Sequence, residues 1–359
     1  MSPSHIRFYI SDYGYGHASR CIALIRALQE QLGVTVSIRT KTPAAFVSKS
    51  LSHCVISSEQ NDVGTVMYKD TFTVDAVETE CQLKQWISSW DNFVAEECIF
   101  CRDHGVDLIV SDITPQAFLV SERLGIPGIG FSNFTWELIF RNLYGHSSEV
   151  KQIADAYCSA DLALVLPFHE SMSLFRKRVS VPLVCRKRTR LRDAMRNRFG
   201  VGNDEKLVYL GSGFSVQTMP DCVETLIDSG VKVLVSENSL TQMNNIIRIP
   251  NADTESQDYL GMCDLVITKP GYSTVSEAVS ACVPLLIYTR NGFAEDPYIT
   301  APIAEEGFGR VLSYDEFSSG EWVEKLSTFF DLKNAYSSCS DMFKMDGTDM
   351  CIKLIGSYL

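Results

Sequence analysis

Short apolar runs alternate with stretches of helical periodicity along the chain. The first run, residues 6–10, leads through the loop Ser11-Asp-Tyr-Gly-Tyr-Gly-His17 into a stretch with apolar residues at 22, 24, 25 and 28. Unbroken short apolar runs are typical of strands buried in a parallel sheet, with helices covering both faces. Further runs lie at residues 34–39, 107–112, 125–131 and 161–166. This half of the chain predicts a doubly wound α/β domain.

The same alternation begins again near residue 206. Strand-like runs lie at residues 206–210, 231–235, 246–249 and 264–268, and another follows Val283. Two sets of βα units predict two Rossmann-like domains, with ligands bound beyond the carboxyl ends of the strands. We predict a first domain over 1–170, a second over 171–340, and a terminal helix within 341–359.

Composition narrows the classes of protein to consider. With 45% hydrophobic and 21% charged residues over 359 positions, the chain is long enough for two packed domains, and disorder is not indicated. A net charge of -12 argues against general nucleic-acid binding, because it would repel phosphates. The twelve cysteines have no repeating spacing and are interpreted as reduced thiols. Since no apolar run approaches the ~18 residues that span a bilayer, and no leader is visible, we expect a soluble cytoplasmic protein without a transmembrane segment.

The most informative stretch, residues 264–288, reads as strand, turn, helix and second strand. Gly271 breaks the first strand, and Ser273 and Thr274 are predicted N-caps of the helix. Such a helix start binds phosphate well, Lys269 adds positive charge, and Glu277 lies within reach of a ribose diol. An ordinary αβ unit with a surface acid at position 277 remains an alternative.

The motifs in this region carry a family resemblance. Lys-Pro-Gly-Tyr-Ser-Thr-Val-Ser-Glu-Ala at 269–278 and Arg-Asn-Gly-Phe-Ala-Glu-Asp-Pro-Tyr at 290–298 resemble the donor-binding motif of GT-B glycosyltransferases. The closest resemblance is to the glycosyltransferase-like N-terminal half of plant L-arabinokinase and related bacterial proteins; the bacterial UDP-GlcNAc transferase of peptidoglycan synthesis is more distantly similar. The resemblance implies the GT-B fold, two doubly wound Rossmann-like domains facing a central cleft, with the acceptor on the first domain and the nucleotide sugar on the second.

Further donor contacts are expected at two loops of the second domain. The glycine loop Gly211-Ser212-Gly213 follows a strand, so its backbone could approach a diphosphate from the side opposite Gly271. The resemblance implies that Glu295 and Asp296 contact hydroxyls of the donor sugar. Carboxylates suit this task because each accepts more than one hydrogen bond.

His17 is the candidate catalytic base. Gly14 and Gly16 precede it and allow close approach of an acceptor, but the third glycine of a dinucleotide fingerprint is missing, so NAD binding is rejected. Asp112 ends the strand at 107–112, on the same sheet edge, where its carboxylate could orient the imidazole. A helix cap is an equally good structural interpretation of His17. Natural-product GT-B enzymes carry a similar His-Asp pair, which implies that His17 deprotonates the acceptor.

Two other segments are candidates for acceptor contacts. The run Ser132-Asn-Phe-Thr-Trp136 resembles the arabinokinase-like proteins and favours Asn133, Thr135 and Trp136 as acceptor residues, with a helix cap and a buried tryptophan as the alternative. Ten of the 32 basic residues but one of the 44 acids lie between Arg176 and Arg198. A solvated surface is the default interpretation. An anionic acceptor, a diphosphate, RNA or anionic lipid are alternatives, and similarity to the family favours a role in the cleft.

The residues and the resemblance together predict a metal-independent glycosyltransferase. It would move a sugar from a nucleotide diphosphate, which we expect to be UDP, to the hydroxyl of an acceptor that the sequence does not identify. The nucleotide sugar is a substrate, and no cofactor is expected. Two alternatives remain open: a nucleotide-sugar hydrolase in which His17 activates water, as in the similar UDP-sugar hydrolase of pseudaminic acid synthesis, and a non-catalytic sugar-nucleotide-binding protein.

Overall fold

The computed structural model shows two α/β units. The residues that it describes are 3–68, 73–211, 222–236, 246–290 and 292–359. Unit 1 comprises Met1–Val66, Val74–Cys185 and Met345–Leu359; unit 2 comprises Met67–Thr73 and Arg186–Lys344. Unit 1 therefore continues to Cys185, past the boundary predicted at residue 170.

Within the described residues, unit 1 contains one seven-stranded parallel sheet in the order β3-β2-β1-β4-β5-β6-β7. Its strands are β1 His5–Tyr9, β2 Thr35–Arg39, β3 Cys54–Ser57, β4 Leu108–Ser111, β5 Gly128–Ser132, β6 Leu162–Val165 and β7 Arg178–Ser180. The central strands β1, β4 and β5 are buried at every position, as the unbroken apolar runs predict.

Seven helices of unit 1 connect and cover these strands. They are α1 Tyr15–Leu32, α2 Ala44–Ser50, α3 Ala76–Ser88, α4 Trp90–Asp103, α5 Gln116–Leu124, α6 Trp136–Tyr144 and α7 Ser148–Tyr157. Residues 78–102 carry apolar side chains at one continuous helical spacing, yet they form two helices that separate at Ser89, whose hydroxyl donates to the Trp86 carbonyl at 2.7 Å. Trp86 and Trp90 are buried and meet edge to face, which confirms that this stretch belongs to the core.

Unit 2 repeats the architecture of unit 1 on a smaller scale. In its described part, a six-stranded parallel sheet has the order β10-β9-β8-β11-β12-β13. The strands are β8 Leu207–Gly211, β9 Lys232–Ser236, β10 Ile246–Ile249, β11 Leu265–Thr268, β12 Leu285–Tyr288 and β13 Gly309–Leu312. Strand order and direction in both units confirm two doubly wound domains.

The helices of unit 2 are shorter than those of unit 1. They are α8 Arg192–Arg198, α9 Cys222–Asp228, α10 Ser256–Leu260, α11 Tyr272–Ser280, α12 Asp296–Glu306, α13 Tyr314–Ser319, α14 Leu326–Phe330 and α15 Asp341–Lys344, with 3-10 helices at Glu321–Lys325 and Asp331–Ser337. Between α13 and α14, Trp322 packs flat on Phe317, which in turn stacks on Tyr288 of β12. These rings join the C-terminal helices to the sheet.

The chain ends in unit 1 with helix α16, Thr348–Gly356, which packs against α1. Just before it, the Gly347 amide donates to the Leu183 carbonyl at 2.8 Å. A Cβ at Gly347 would overlap the Pro182 carbonyl, so only glycine fits this close approach. All twelve cysteines are free thiols. In the described ranges, no helix combines the length and the apolar character needed to cross a bilayer.

Candidate functional site

Each sheet has a point where the strand order reverses. In unit 1 it lies between β1 and β4, which pair Tyr9 with Ser111; in unit 2 it lies between β8 and β11, which pair Thr268 with Gly211. Ligands of doubly wound sheets bind outside the carboxyl ends of the strands at such a point. The loops that leave these four strand ends carry most of the candidate residues.

His17 and Asp112 meet at the switch point of unit 1. His17 is in the first turn of α1, and Asp112 directly follows β4. The imidazole Nδ1 lies 2.6 Å from Asp112 Oδ2, and both residues are buried. We assign the ring proton to Nδ1, because the carboxylate can only accept a hydrogen bond there, and this assignment leaves Nε2 as the basic nitrogen. The pair therefore has the geometry of an imidazole oriented for proton transfer.

Arg20, one helical turn after His17, completes this cluster. Its Nε donates to Asp112 Oδ1 at 2.7 Å, Nη2 contacts the same oxygen, and Nη2 lies 2.9 Å from His17 Nδ1. Burial alone would raise the pKa of Asp112, but the Arg20 guanidinium and then His17 outweigh it and lower that pKa. Asp112 is thus kept ionised and held from two sides.

The three residues expected to contact the acceptor are instead interior. Asn133, Thr135 and Trp136 have no exposed surface. Asn133 Oδ1 accepts from Arg20 Nη1 at 2.6 Å, and the Thr135 hydroxyl caps α6 and donates to Glu170 at 2.5 Å. The helix cap and the buried tryptophan are those of the alternative, and the hydrogen bonds offset the cost of burying polar groups. Asn133 positions Arg20, and acceptor contacts by the three residues stay predictions.

Asp62 is a buried carboxylate that sequence reasoning missed. It accepts from Trp136 Nε1 at 2.9 Å, from the Asp12 amide at 2.8 Å and from the Ser11 hydroxyl at 3.1 Å. Burial, and then the charge of Asp12, raise its pKa to about 6, while His17 acts in the opposite direction. Asp62 thus joins the β1–α1 loop to the first turn of α6.

In unit 2, helix α11 begins at Tyr272, at least two residues earlier than caps at Ser273 or Thr274 predict. Gly271, with φ -141° and ψ 122°, is the N-cap and has no side chain to cap the helix, and Ser273 and Thr274 lie inside the first turn. The prediction of hydroxyl caps at these two positions is wrong. Among the described residues, a Cβ added at Gly271 would meet only the Lys269 carbonyl, at 4.0 Å. Gly271, Thr274 and Lys269 are each partly exposed.

Lys269 and Arg290 bring two positive charges to this helix start. Arg290 follows β12, and its Nη2 donates to the Pro270 carbonyl at 3.0 Å. Burial, and then Arg290, lower the pKa of Lys269 to about 8. Both oxygens of Asp296 accept from Arg290, at 2.7 Å from the amide and 2.9 Å from Nε, and Glu295 lies 3.6 Å from the guanidinium. Asp296 thus orients Arg290; sugar contacts by Glu295 and Asp296 stay predictions.

Glu277 is buried and is held by the basic stretch. Arg186 Nε donates to its Oε1 at 2.9 Å, and Ser256 Oγ lies 3.5 Å from Oε2. Burial raises the pKa of Glu277, although Arg186 opposes the rise. The carboxylate is therefore not the helix-surface acid that the sequence allowed, and a ribose contact by its second oxygen stays a prediction.

Other arginines of the same stretch are also paired with acids of unit 2. Arg190 binds Asp253 at 2.6 Å, and Arg192 and Arg196 bind Asp264 at 2.8 and 3.2 Å. These pairs hold α8 and the segment before it against the rest of unit 2, and a role in the cleft for the basic stretch stays a prediction. A sequence cannot separate paired from solvated arginines, since the acids lie far along the chain.

The remaining predicted residues are glycines and one serine. Gly14 has φ +96° and open space at its Cβ position, and Gly16 is exposed, so both permit close approach of a ligand. Gly211 is buried, and a Cβ there would press on Tyr209 and Thr268. Ser212 and Gly213 lie outside the described residues. Among those described, no group of three or more His, Cys, Asp or Glu side chains could hold a metal ion, and metal independence stays a prediction.

Arg20, Asp62 and Arg290 were therefore missed by sequence reasoning. Helical spacing offers a signal for Arg20, because it lies three residues after His17 on one helix face. Arg290 stands just after β12, at the same sheet edge as Lys269. Asp62 follows β3 in a segment without recognisable periodicity, and nothing in the sequence marks it.

Comparison with known proteins gives relatives in sequence and in structure. No protein-family model matches the chain. L-arabinokinase of Arabidopsis thaliana is 28% identical over 347 residues, 93% of this chain but 33% of that protein. An uncharacterized glycosyltransferase of Methanosarcina acetivorans is 35% identical over 95 residues, 25% of each chain. The chain thus spans about a third of the length of L-arabinokinase, the relative aligned over 347 residues.

Solved structures resemble the whole chain at low sequence identity. The glycosyltransferase of kitacinnamycin has a TM-score of 0.69 and 14% identity and covers both chains fully. Arabidopsis thaliana UGT89C1 complexed with UDP has a TM-score of 0.68 at 11% identity, and the glycosyltransferase VinC in complex with dTDP has 0.63 at 15%; each alignment covers 99% of both chains. At these identities the likeness shows the fold.

Proposed function

We propose that this chain, which has the GT-B fold and is related to plant L-arabinokinase over 93% of its length, is a glycosyltransferase. The kinase activity in that relative's name is not carried over, because the match spans 33% of the relative. The observation that carries the proposal is the 2.6 Å contact between His17 and Asp112 at the switch point of unit 1. This contact supports a role for His17 as a catalytic base, and a protein that only binds nucleotide would not need such a base.

Unit 2 would bind the donor as a nucleoside diphosphate sugar. The start of α11 at Gly271 would place the positive end of a helix dipole and the backbone of its first turn beside the diphosphate. Lys269 and Arg290 would add charge where negative charge builds up on the leaving group, and such stabilisation is usually the largest catalytic term. Glu277 would contact the ribose, and Glu295 the sugar.

Unit 1 would bind and activate the acceptor. The acceptor oxygen forms a bond to the anomeric carbon while the bond from that carbon to the diphosphate oxygen breaks. The hydroxyl proton goes to His17 Nε2, and the resulting imidazolium is stabilised by Asp112. Gly14 and Gly16 would leave room for the acceptor beside the imidazole. Each of these steps uses groups of this chain and the donor, and none needs a metal ion.

We propose UDP as the nucleotide, with dTDP as the closest competitor. Two of the structural relatives, UGT89C1 and VinC, were solved in complex with UDP and dTDP, both pyrimidine nucleotides. Their sequence identity to this chain is 11% and 15%, so the base must be measured.

The test is nucleotide release from UDP-sugars with the wild type, His17→Ala and the exposed-histidine control His146→Ala, with a panel of hydroxyl acceptors and with EDTA. We expect acceptor-dependent UDP release that survives EDTA, is unchanged in His146→Ala, and falls by about 10²–10⁴-fold in His17→Ala. Equal release without acceptor would instead indicate a hydrolase. Undiminished transfer by His17→Ala would remove the proposed base.

A further inference from the structure

A separate pocket of about 590 Å³ lies within unit 1. It is bounded by the end of β2, the segment after β3, and helices α3 and α4. This volume falls in the ~300–1,000 Å³ range of small-molecule sites. His17 and Asp112 are not among its lining residues, so it is distinct from the proposed base.

The lining is unusually rich in side-chain amides. These amides come from Gln60, Asn61, Gln82, Gln85, Asn92 and Gln116. Trp86 and Phe93 supply aromatic surface, and Glu78 and Glu96 supply carboxylates. Amide groups donate and accept hydrogen bonds, which water satisfies when the pocket is empty. An apolar ligand would displace that water and offer no hydrogen bonds in its place. The pocket is therefore unsuited to an apolar ligand.

Anions are also disfavoured. Arg39 is the one cationic side chain of the described lining, and its Nη1 already binds Glu97 at 2.8 Å and Glu59 at 2.5 Å. Glu78 and Glu96 add negative charge to the same lining. A phosphate or carboxylate would meet net repulsion here, which separates this pocket in chemistry from the Lys269 region of unit 2.

Three lining residues each keep one buried polar atom without a hydrogen-bond partner. In the described part of the chain these atoms are Arg39 Nε, Asn61 Oδ1 and Gln116 Oε1. The amide of Asn61 cannot be turned round, because its Nδ2 donates to the Ile10 carbonyl at 2.8 Å and to the Arg39 carbonyl at 2.6 Å. One donor and two acceptors thus remain unsatisfied around one pocket, and such buried groups are uncommon in native proteins.

The floor of the pocket is held rigidly. The Asn61 carbonyl accepts from Trp86 Nε1 at 2.8 Å and from Gln116 Nε2 at 2.5 Å. These bonds fix the indole and an amide before any ligand arrives, and preorganised groups lose little entropy on binding. The next residue, Asp62, belongs to the network of Trp136 and the β1–α1 loop.

We propose that this pocket binds a neutral polyhydroxylated molecule, a monosaccharide or short oligosaccharide. Each hydroxyl of a sugar both donates and accepts, which suits a lining of six side-chain amides and two carboxylates. The aromatic side chains offer surface to the apolar face of the sugar ring. This inference stands whether or not the chain transfers sugars, because it uses neither the proposed base nor the donor site.

The test is saturation-transfer NMR on the full chain with glucose, galactose, arabinose, maltose and inositol at millimolar concentration, with glucose 1-phosphate as the anionic comparator. Gln85→Trp places an indole in the lining, and Lys84→Trp, at the exposed neighbouring position of α3, is its matched control. We expect transfer to at least one neutral sugar, affinity reduced at least about tenfold in Gln85→Trp, and no change in Lys84→Trp. Gln85→Ala, which removes one amide, should weaken binding by about threefold.

Two results would overturn the proposal. One is no transfer to any neutral sugar by a wild type with a normal unfolding profile, which would leave the pocket to water alone. The other is equal binding by wild type and Gln85→Trp, which would put the sugar elsewhere. Binding should persist in His17→Ala, and its loss there would mean that the sugar occupies the proposed catalytic site.

Discussion

In unit 1 the helix after β1 brings His17 and Arg20 onto the carboxylate of Asp112, whereas in unit 2 the helix after β11 begins at Gly271 with no side-chain cap. Both positions are switch points of sheets with the same strand order. The first is filled by side chains in fixed contact. The second leaves the backbone accessible, with Lys269 and Arg290 beside it.

This difference fits the different demands of two chemistries. Proton transfer needs an imidazole in one tautomer and one orientation, which a buried and fully paired network provides. Anion binding needs amides and positive charge that a ligand can reach, which a glycine at a helix start provides. One topology can therefore hold either kind of site, and the residues after the first and fourth strands decide which.

The largest expected effect is that of Asp112→Asn. It removes the charge that orients His17, and by analogy with catalytic triads transfer should fall by about 10⁴-fold. It also leaves Arg20 as a buried cation without its carboxylate, so we expect a loss of about 3–5 kcal/mol in the free energy of unfolding. Transfer assays and urea titration measure the two effects. Unchanged stability would contradict the importance of the Arg20 contact.

Gly271→Ala probes the accessible site of unit 2. Among the described residues, the new methyl meets only the Lys269 carbonyl at 4.0 Å, and the φ of -141° suits any residue, so the fold should be unchanged. If the diphosphate lies against this glycine, nucleotide affinity should fall by at least about tenfold, as calorimetry would show. Gly309→Ala is the control for a glycine that the fold requires: its Cβ would overlap Ile303, so this variant should lower the stability of unit 2. Undiminished affinity in Gly271→Ala would exclude the helix start as the phosphate site.

Asp62→Asn tests a charge buried in the network of unit 1. The pKa of Asp62 is raised to about 6, so the folded state binds its proton more tightly than the unfolded state. Stability should therefore fall as pH rises from ~4 to ~6, by about 2 kcal/mol. In Asp62→Asn this dependence of stability on pH should disappear. The new NH₂ group would face the N–H donors of Asp12 and Trp136, so the variant should also be less stable than the wild type at every pH. Chemical denaturation across this pH range measures the free energy of unfolding of both proteins. An unchanged slope in Asp62→Asn would mean that another group causes the pH dependence.

The smallest effect concerns the pH dependence of donor affinity. The pKa of Lys269 is lowered to about 8, so its charge is lost as pH rises above that value. Nucleotide affinity should weaken by about tenfold at high pH, with a midpoint shifted upward by the bound diphosphate. Lys269→Arg should flatten the curve, because arginine stays charged. Without ligand, the same lowered pKa makes folding stability rise between pH ~8 and ~10.5. Identical pH curves of nucleotide affinity for the wild type and Lys269→Arg would exclude Lys269 from the nucleotide site.

The fold was largely predictable, since each βα unit shows its own apolar run and its own turn. The GT-B prediction is confirmed, and the strands at the two switch points lie within one or two residues of their expected positions. Local patterns suffice because buried parallel strands carry unbroken apolar runs. The break at Ser89 was missed because the apolar period of 78–102 continues through it.

Side-chain partners were much less predictable. Asn133, Thr135 and Trp136 looked like ligand contacts after a strand, yet they support Arg20, Glu170 and Asp62 in the interior. The partners of Arg186 and Arg196, at Glu277 and Asp264, are far along the chain. Periodicity reports which face of an element is buried. It does not report which distant charge lies opposite.

The division of labour between the two units is tested most directly by nucleotide binding. Thermal shifts with UDP, dTDP, GDP, ADP and CMP should be compared for the wild type, His17→Ala and Gly271→Ala. A nucleotide at 100 times its dissociation constant stabilises a protein by about 2.7 kcal/mol. We predict a shift with UDP that is equal in wild type and His17→Ala and much smaller in Gly271→Ala. Loss of the shift in His17→Ala with full retention in Gly271→Ala would contradict it.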